Sequence, residues 1–299
     1  MTLYTQQESN IFKTWLFISI FLTLIILLGW VFSEIYDASW ILVLAIIIAL
    51  TQSFISYWYS DKIVLGLYKA KEIKKEDNPE LYRIVENLSI TAGLPMPKIY
   101  IINDPSPNAF ATGRDPKHSI VCVTSGLLEK LEKVELEGVV AHELSHIGNR
   151  DILLASVMVV LAGVVSLMAR IFLRGSFSKR RERENEGGSI LDLIGLILVI
   201  LSPIFAALLR LAISRKREFL ADATGTLITR YPEGLARALE KIALDPVPLK
   251  QVNEATAHLF ISDPFKKKKM NWFNKIWLTH PPVEERIKIL REMDLSEKI

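Results

Sequence analysis

The segment His142-Glu143-Leu144-Ser145-His146 carries the side chains best suited to chemistry in this sequence. Two histidines four residues apart lie on one face of a helix, so both imidazoles can bind one metal ion. Glu143 lies beside them, where its carboxylate can take a proton from water activated by that ion. The spacing therefore predicts a zinc-dependent hydrolytic site on a helix.

A hydrolytic zinc site needs three protein ligands and one open position for water. The other histidines of the chain are His118, His258 and His280. A carboxylate can also serve, and we favour Glu218 in the segment REFLADATG. His146 lies just before the apolar stretch that begins at Ile152, and Glu218 lies just after the one that ends at Leu209. If these two stretches are antiparallel membrane spans, the chain returns to the side that it left, and Glu218 comes back beside the two histidines.

Asp222 lies one helical turn after Glu218 and is therefore expected on the same helical face. From there its carboxylate can accept a hydrogen bond from a ligand histidine and fix the tautomer of that histidine. The competing interpretation is a solvated acidic pair between basic neighbours.

Four stretches without charged residues are long enough for membrane helices, which need about 20 apolar residues. They are Thr14–Ser33, Ala38–Ser60, Ile152–Ala169 and Leu193–Leu209. The chain thus divides into two N-terminal transmembrane helices (1–60), the first part of a catalytic domain (61–151), a membrane hairpin (152–214) and the second part of the domain (215–299).

Basic residues set the orientation of membrane helices, because they are retained on the cytoplasmic side. The acidic turn 34–37 is therefore expected outside, and the basic segments 62–75 and 210–217 inside. The loop 170–192 disagrees, since it is rich in lysine and arginine yet lies outside if all four stretches span. We favour four spans, with the alternative that the last two form a hairpin that does not fully cross.

The soluble parts have mixed patterns. PKIYIIND predicts a strand, and NAFATGRDPKHSIVCVTSG predicts two short strands around a polar turn. PELYRIVENLSITAGL, YPEGLARALEKIAL and PPVEERIKILREM have helical periodicity. Cys122 is the only cysteine, which excludes an intrachain disulfide, and it is expected in the core. The net charge of only +3 gives no reason to expect a nucleic-acid partner.

Together, AHELSHIGNRD, EFLADA, NAFATG and THPP resemble the HtpX heat-shock membrane proteases and, more distantly, the CAAX prenyl endopeptidases. The similarity covers nearly the whole chain. It implies an α+β, zincin-like metalloprotease domain, mainly helical with a small sheet, joined to four transmembrane helices. It also implies one zinc ion per chain, held by His142, His146 and Glu218, with Glu143 as general base and Asp222 as a partner of a ligand.

The resemblance implies further site residues. Asn108, followed by Ala109 and Phe110, matches a motif that contributes to the active site, so this segment is a candidate contact for substrate backbone. His280 and Arg286, in THPPVEER, are candidates to stabilise the oxyanion that develops during hydrolysis. Their ordinary interpretations are a turn asparagine, a histidine before a proline turn and a surface arginine.

The expected substrate is polypeptide, extended along a strand edge near Asn108–Gly113, because peptide main chain pairs with an unpaired edge. A site at the cytoplasmic face can meet polypeptide emerging from lipid. The resemblance accordingly implies a multi-pass protein of the prokaryotic cytoplasmic (inner) membrane that removes misfolded or damaged membrane proteins under stress. In KKKKMNWFNKIW, Lys266–Lys269 can face anionic headgroups. A solvated basic loop is the competing interpretation.

Three other functions remain as alternatives. Prenyl-protein processing is one, although the proteins that do this are longer and have more spans. A non-catalytic adaptor with a structural zinc is another, although structural zinc sites are closed and usually contain cysteine. A transport component is the third, and the absence of charged residues from the spans argues against it.

Overall fold

The computed structural model describes residues 3–161, 163, 215–251, 256–265 and 281–293. The described residues are mainly helical, with one small mixed sheet. The helices, in chain order, are α1 (Leu3–Ile35), α2 (Trp40–Tyr68), α3 (Pro79–Thr91), α4 (Ser125–Lys130), α5 (Lys133–Gly148), α6 (Asp151–Leu161), α7 (Arg215–Thr229), α8 (Pro232–Leu244) and α9 (Val283–Arg291). The strands are β1 (Lys71–Glu72), β2 (Lys98–Ile102), β3 (Ala109–Gly113) and β4 (Ser119–Thr124).

The sheet has the order β1-β2-β4-β3, with β2 and β4 parallel and the other two pairs antiparallel. The hairpin of β3 and β4 turns at Asp115, whose carboxylate accepts hydrogen bonds from the backbone N–H groups of Lys117 and His118. This confirms the two short strands predicted around a polar turn. The short strand β1 has no signal in the sequence pattern, and β3 lies at one edge of the sheet.

Both faces of the sheet are covered, because alternate residues of its strands are apolar. Ile99, Val121 and Val123 point into the main core against α3, α5 and α8. Phe110 and Cys122 point the other way, toward the end of α2. Cys122 is fully buried, as predicted.

Two described helices are long and apolar enough to cross a membrane, Gln7–Ile35 within α1 and Trp40–Tyr68. They match the first two predicted spans. The third predicted span begins in α6, which is described to Leu161 and bends by 81° away from α5. The described residues thus hold two candidate spans rather than four, or three if the bent pair counts as one. The fourth stretch, Leu193–Leu209, lies outside the described residues, as do the loop 170–192 and the segment 266–280.

The apolar helices are packed onto the rest of the domain. Tyr68, at the end of α2, contacts Phe110 and Phe260 and shares a short hydrogen bond with Thr256. The start of α1 packs its buried Phe17 and Phe21 against α6. Both α1 and α2 therefore pack directly against the folded domain.

Candidate metal centre

Three side chains from two helices converge at the end of α5. The Nε2 atoms of His142 and His146 lie 3.2 Å apart. The two carboxylate oxygens of Glu218 on α7 lie 3.8 Å from His142 Nε2 and 3.7 Å from His146 Nε2. Ligand atoms about 2.0–2.1 Å from a tetrahedral zinc ion lie about 3.3 Å from one another. The residues present therefore fit a single metal ion, and they are the three ligands expected from the sequence.

Close helix packing brings these groups together. Glu218, Asp222 and Gly225 lie on one face of α7, and Gly225 contacts the backbone of α5 at Ala141 and His142. One turn earlier on α5, a Cβ at Gly138 would lie 2.7 Å from the nitrogen of Leu235 on α8. Glycine thus allows both α7 and α8 to approach α5 at backbone contact distance.

Glu143 lies in the wall of a cavity beside the three ligands. The cavity has a volume of about 50 Å³, which is room for a metal ion and a few water molecules. The Glu143 side chain is buried and accepts a backbone hydrogen bond from Ala111 of β3. Burial and the nearby charge of Glu218 raise the pKa of Glu143 to about 7, although His146 and Arg286 oppose the shift. A carboxyl group with this pKa suits the transfer of protons near neutral pH.

The Asp222 carboxylate lies beside His142, the position that the sequence suggested for a partner of a ligand histidine. Its Oδ1 lies 2.9 Å from His142 Nδ1. Arg286 on α9 clamps the same carboxylate with two hydrogen bonds, from Nε at 2.8 Å and from Nη2 at 2.6 Å. Burial alone would raise the pKa of Asp222, but the charge of Arg286 and the bond to His142 hold it below its usual range. Burial lowers the pKa of His142, which favours the neutral imidazole that a metal needs.

Arg286 differs from the role suggested by its motif. It is fully buried, and its Nη1 donates to the carbonyl of Ile261 at 3.1 Å and lies 3.5 Å from a Glu218 oxygen. All three guanidinium nitrogens therefore contact groups of the protein itself, namely Asp222, Glu218 and the carbonyl of Ile261. This geometry favours a role in positioning Asp222 and Glu218 over direct contact with a substrate oxyanion. The other candidate for that contact, His280, lies outside the described residues.

Asp151 is a site residue that sequence reasoning missed. Its Oδ2 lies 3.0 Å from His146 Nδ1, so it serves the second ligand histidine as Asp222 serves the first. Burial opposes a charge on His146, but the hydrogen bond to Asp151 and the charge of Glu218 outweigh it and raise its pKa to about 9. Asp151 is five residues after His146, and in a continuous helix its side chain would point away from the site. The break after Gly148, where Arg150 has a φ of 61°, brings it back.

The segment predicted to bind substrate is more enclosed than expected. Asn108 donates to the carbonyl of Ser262 at 3.1 Å and accepts from the backbone of Ala109 at 3.1 Å. The Ala109 carbonyl accepts from the N–H of Ile261 at 3.0 Å. Phe110 is fully buried. The chain itself thus occupies the edge of β3 at Ala109, and all three residues serve the fold in this geometry.

The remaining part of that edge lies at the cavity. Ala111 lines it, together with residues that no motif of the sequence had indicated: Asp151, Ile152, Ala155, Arg217, Leu259, Phe260 and Ile261. His258, one of the histidines left open as a third ligand, also lines the cavity but does not belong to the ligand cluster. His118 lies elsewhere, beside Asp115 in the β3–β4 turn.

Comparison with known proteins identifies the family of the chain. Residues 75–294 match Peptidase family M48. The chain is 46% identical to a Protease HtpX homolog of Caldanaerobacter subterraneus subsp. tengcongensis, over 98% of this chain and 99% of the relative. It is 48% identical to a Protease HtpX homolog of Thermococcus sibiricus, over 83% of this chain and 85% of the relative.

Among solved structures, the fold is similar to the crystal structure of S. mikatae Ste24p. The TM-score is 0.52 and the identity 18%, over 96% of this chain and 67% of the other. The match to M48, the near full-length similarity to HtpX proteases and the cluster of His142, His146 and Glu218 all lead to one assignment. The chain belongs to peptidase family M48, and within it to the HtpX-type metalloproteases.

Proposed function

We propose that this protein is a membrane-integrated zinc endopeptidase that cleaves misfolded or damaged membrane proteins at the cytoplasmic face, as part of protein quality control under stress. The observation that carries the proposal is the arrangement of Glu143 beside three convergent ligand groups in one cavity. The apolar helices α1 and α2 support the membrane location. The active site would lie on the inner side of a prokaryotic cytoplasmic membrane, because the lysine-rich segment after α2 is expected inside.

Zinc, when bound by His142, His146 and Glu218, supplies Lewis-acid chemistry that acidifies water and polarises a peptide carbonyl. The protein's own groups then move the protons. Glu143 takes a proton from the attacking water and returns it to the leaving amine, a cycle for which its raised pKa is suited. Asp222 and Asp151 keep the two imidazoles aimed at the ion.

Substrate polypeptide would bind along the part of the β3 edge that reaches the cavity, at Ala111. The segment around Ile261 already covers the edge at Ala109. An extended peptide here would place its main chain next to Glu143, because Ala111 contacts that carboxylate. Recognition through main-chain atoms is tolerant of sequence, which suits a protease for damaged proteins of many kinds.

The test is cleavage of an unfolded protein such as casein by the parent and by Glu143→Gln, each purified in detergent under chelation and then given zinc. We expect zinc to be bound by both and cleavage by the parent only. Glu137→Gln is the matched control, because Glu137 lies on the same helix, is only partly buried and is distant from the ligand cluster. Equal cleavage by Glu143→Gln and the parent would remove Glu143 from the mechanism.

A membrane substrate tests the finer part of the proposal. The parent and Glu143→Gln would be placed in vesicles with a destabilised membrane protein or with its stable parent form. Preferential cleavage of the destabilised form supports quality control. Cleavage restricted to a prenylated peptide would instead favour the processing alternative, and zinc binding without any cleavage would favour the adaptor.

A further inference from the structure

A hydrogen-bonded chain of side chains connects the first apolar helix to the candidate metal centre. Asn10 on α1 is fully buried, and its Nδ2 donates to Asp151 Oδ1 at 2.6 Å. The other oxygen of Asp151 contacts His146 Nδ1 at 3.0 Å. Only one side chain, Asp151, therefore separates a group on a candidate membrane span from a candidate zinc ligand.

The loop between α5 and α6 is held by the same helix. Asn10 Nδ2 also donates to the carbonyl of Asn149 at 2.9 Å, and Gln7 donates to the carbonyl of Gly148 at 2.7 Å. The Asn10 bonds hold the bend that turns Asp151 back toward His146, whereas the Gln7 bond attaches α1 to the end of α5 and does not reach Asp151. The buried apolar contacts of Phe17 and Phe21 with α6 place α1 firmly against this loop.

The chemistry of Asn10 suits this position. Asp151 also accepts from Arg217 Nη1 at 3.3 Å, so its charge is already balanced by a buried cation. A second cation on α1 would be costly close to the hydrocarbon, whereas an amide supplies N–H donors without charge. The two candidate ligand histidines are thus supported in similar ways, His142 by Asp222 with Arg286 and His146 by Asp151 with Arg217. Among the described residues, only the support of His146 includes a side chain from an apolar span.

We propose that Asn10 is a positioning residue for the metal site: through Asp151 it orients His146, so that the first membrane helix completes the zinc centre. The inference rests on the zinc site put forward under Proposed function. It assigns to α1 a part in metal binding besides anchoring the protein.

The test uses the full-length protein in detergent and measures zinc affinity by competition with a chromophoric chelator. Asp151→Asn should weaken zinc binding by about 10- to 100-fold, the usual effect of removing a partner of a metal ligand. Asn10→Leu should weaken it by about threefold or more, because Asp151 loses one of its donors. Gln7→Ala is the matched control: it removes a bond between the same helix and the same loop without touching Asp151, and it should bind zinc as the parent does.

Two further readouts separate positioning from general support of the fold. The visible absorption spectrum of the cobalt-substituted protein should change in Asn10→Leu and not in Gln7→Ala, because it reports the geometry of the ligands. The double variant Asn10→Leu/Asp151→Asn should bind zinc no more weakly than Asp151→Asn alone, since Asn10 acts through Asp151. Asn10→Ala replaces Asn10→Leu if the leucine variant does not insert.

The outcomes are distinct. Parent-like zinc affinity in the Asn10 variants, equal weakening by Gln7→Ala, or additive losses in the double variant would each overturn the inference while leaving the zinc site intact. Failure of the parent itself to bind zinc would instead overturn the proposed function.

Discussion

Gly225 of α7 lies against the backbone of His142, where an added Cβ would come within 3.0 Å of the His142 nitrogen. The contact fixes the distance between the helix that carries two ligands and the helix that carries the third. The atoms opposite Gly225 belong to the backbone, so they cannot rotate away as the end of a side chain could.

Gly225→Ala should therefore push α7 away from α5. We expect the free energy of unfolding to fall by about 1–3 kcal/mol, the usual effect of overpacking, and zinc binding to weaken in parallel. The measurements are the Tm and a zinc titration. Gly66→Ala is the matched control, because nothing lies within 4 Å of its Cβ position. If Gly225→Ala melts and binds zinc as the parent does, the close approach does not set the ligand geometry.

Arg286→Lys separates two roles for the buried guanidinium. Lysine keeps the charge but cannot make the paired hydrogen bonds to Asp222. If Arg286 positions Asp222 and Glu218, zinc affinity should fall by about tenfold or more and the Tm should decrease. If it stabilises the oxyanion instead, kcat should fall at saturating zinc while zinc affinity stays unchanged. Zinc competition and steady-state kinetics on the same samples decide between them.

Zinc affinity should depend on pH through His146. Its pKa is raised to about 9, so a proton occupies this ligand below that pH and competes with the metal. The pKa of His142 is lowered, so His142 is already neutral near pH 7 and contributes little to this competition. The logarithm of the zinc association constant should accordingly rise by about one per pH unit between pH 7 and 9, and then level off. A flat profile over this range would show that His146 binds zinc without losing a proton.

Asn108→Ala should lower the stability of the fold rather than weaken the binding of substrate. The Asn108 side chain satisfies the backbone of Ser262 and Ala109 in the interior, and each bond lost there costs about 1–3 kcal/mol. We expect a lower Tm, while exposed Asn87→Ala leaves it unchanged. An unaltered Tm together with a raised KM would instead support the direct contact between Asn108 and substrate that the motif suggested.

The loop 170–192 can be placed by labelling. In a Cys122→Ser background, Ser178→Cys should react with an impermeant maleimide added from outside if all four apolar stretches cross the membrane. Ala38→Cys, in the turn after α1, is the outside control, and Lys75→Cys is the inside control. Labelling of Ser178→Cys only after the cells are opened would show a hairpin that does not cross.

Local spacing was sufficient to pair His142 with His146 and Glu218 with Asp222, because each pair lies four residues apart within an unbroken helix. Bringing Glu218 to the two histidines needed the expected return of the chain through an antiparallel pair of spans and the family resemblance. Local spacing was insufficient for Asp151, since the bend of 81° between α5 and α6 alters the direction of the chain between His146 and Asp151. An asparagine one helical turn before the first apolar stretch was the signal that could have identified Asn10, because polar groups in membrane helices need partners.

The roles suggested for Asn108 and Arg286 illustrate a different limit. Both residues lie close to the site, as the motifs indicated, but a motif does not show which way a side chain points. Arg286 faces Asp222, and Asn108 faces Ser262, because each is the partner of a buried group from a distant part of the chain. Such pairings arise only in the assembled core.

The groups around the metal centre also come from widely separated stages of synthesis. Asn10 belongs to α1, Glu218 to α7 after a long apolar segment, and Arg286 to the last described helix. A chain translated only to the end of α5 therefore has two of the three candidate ligands. It still lacks Glu218, Asp222 and Arg286, which lie on later helices. With the proposed zinc site, we therefore expect the nascent protein to leave its neighbours uncut during insertion and to become proteolytic only when the later helices have folded.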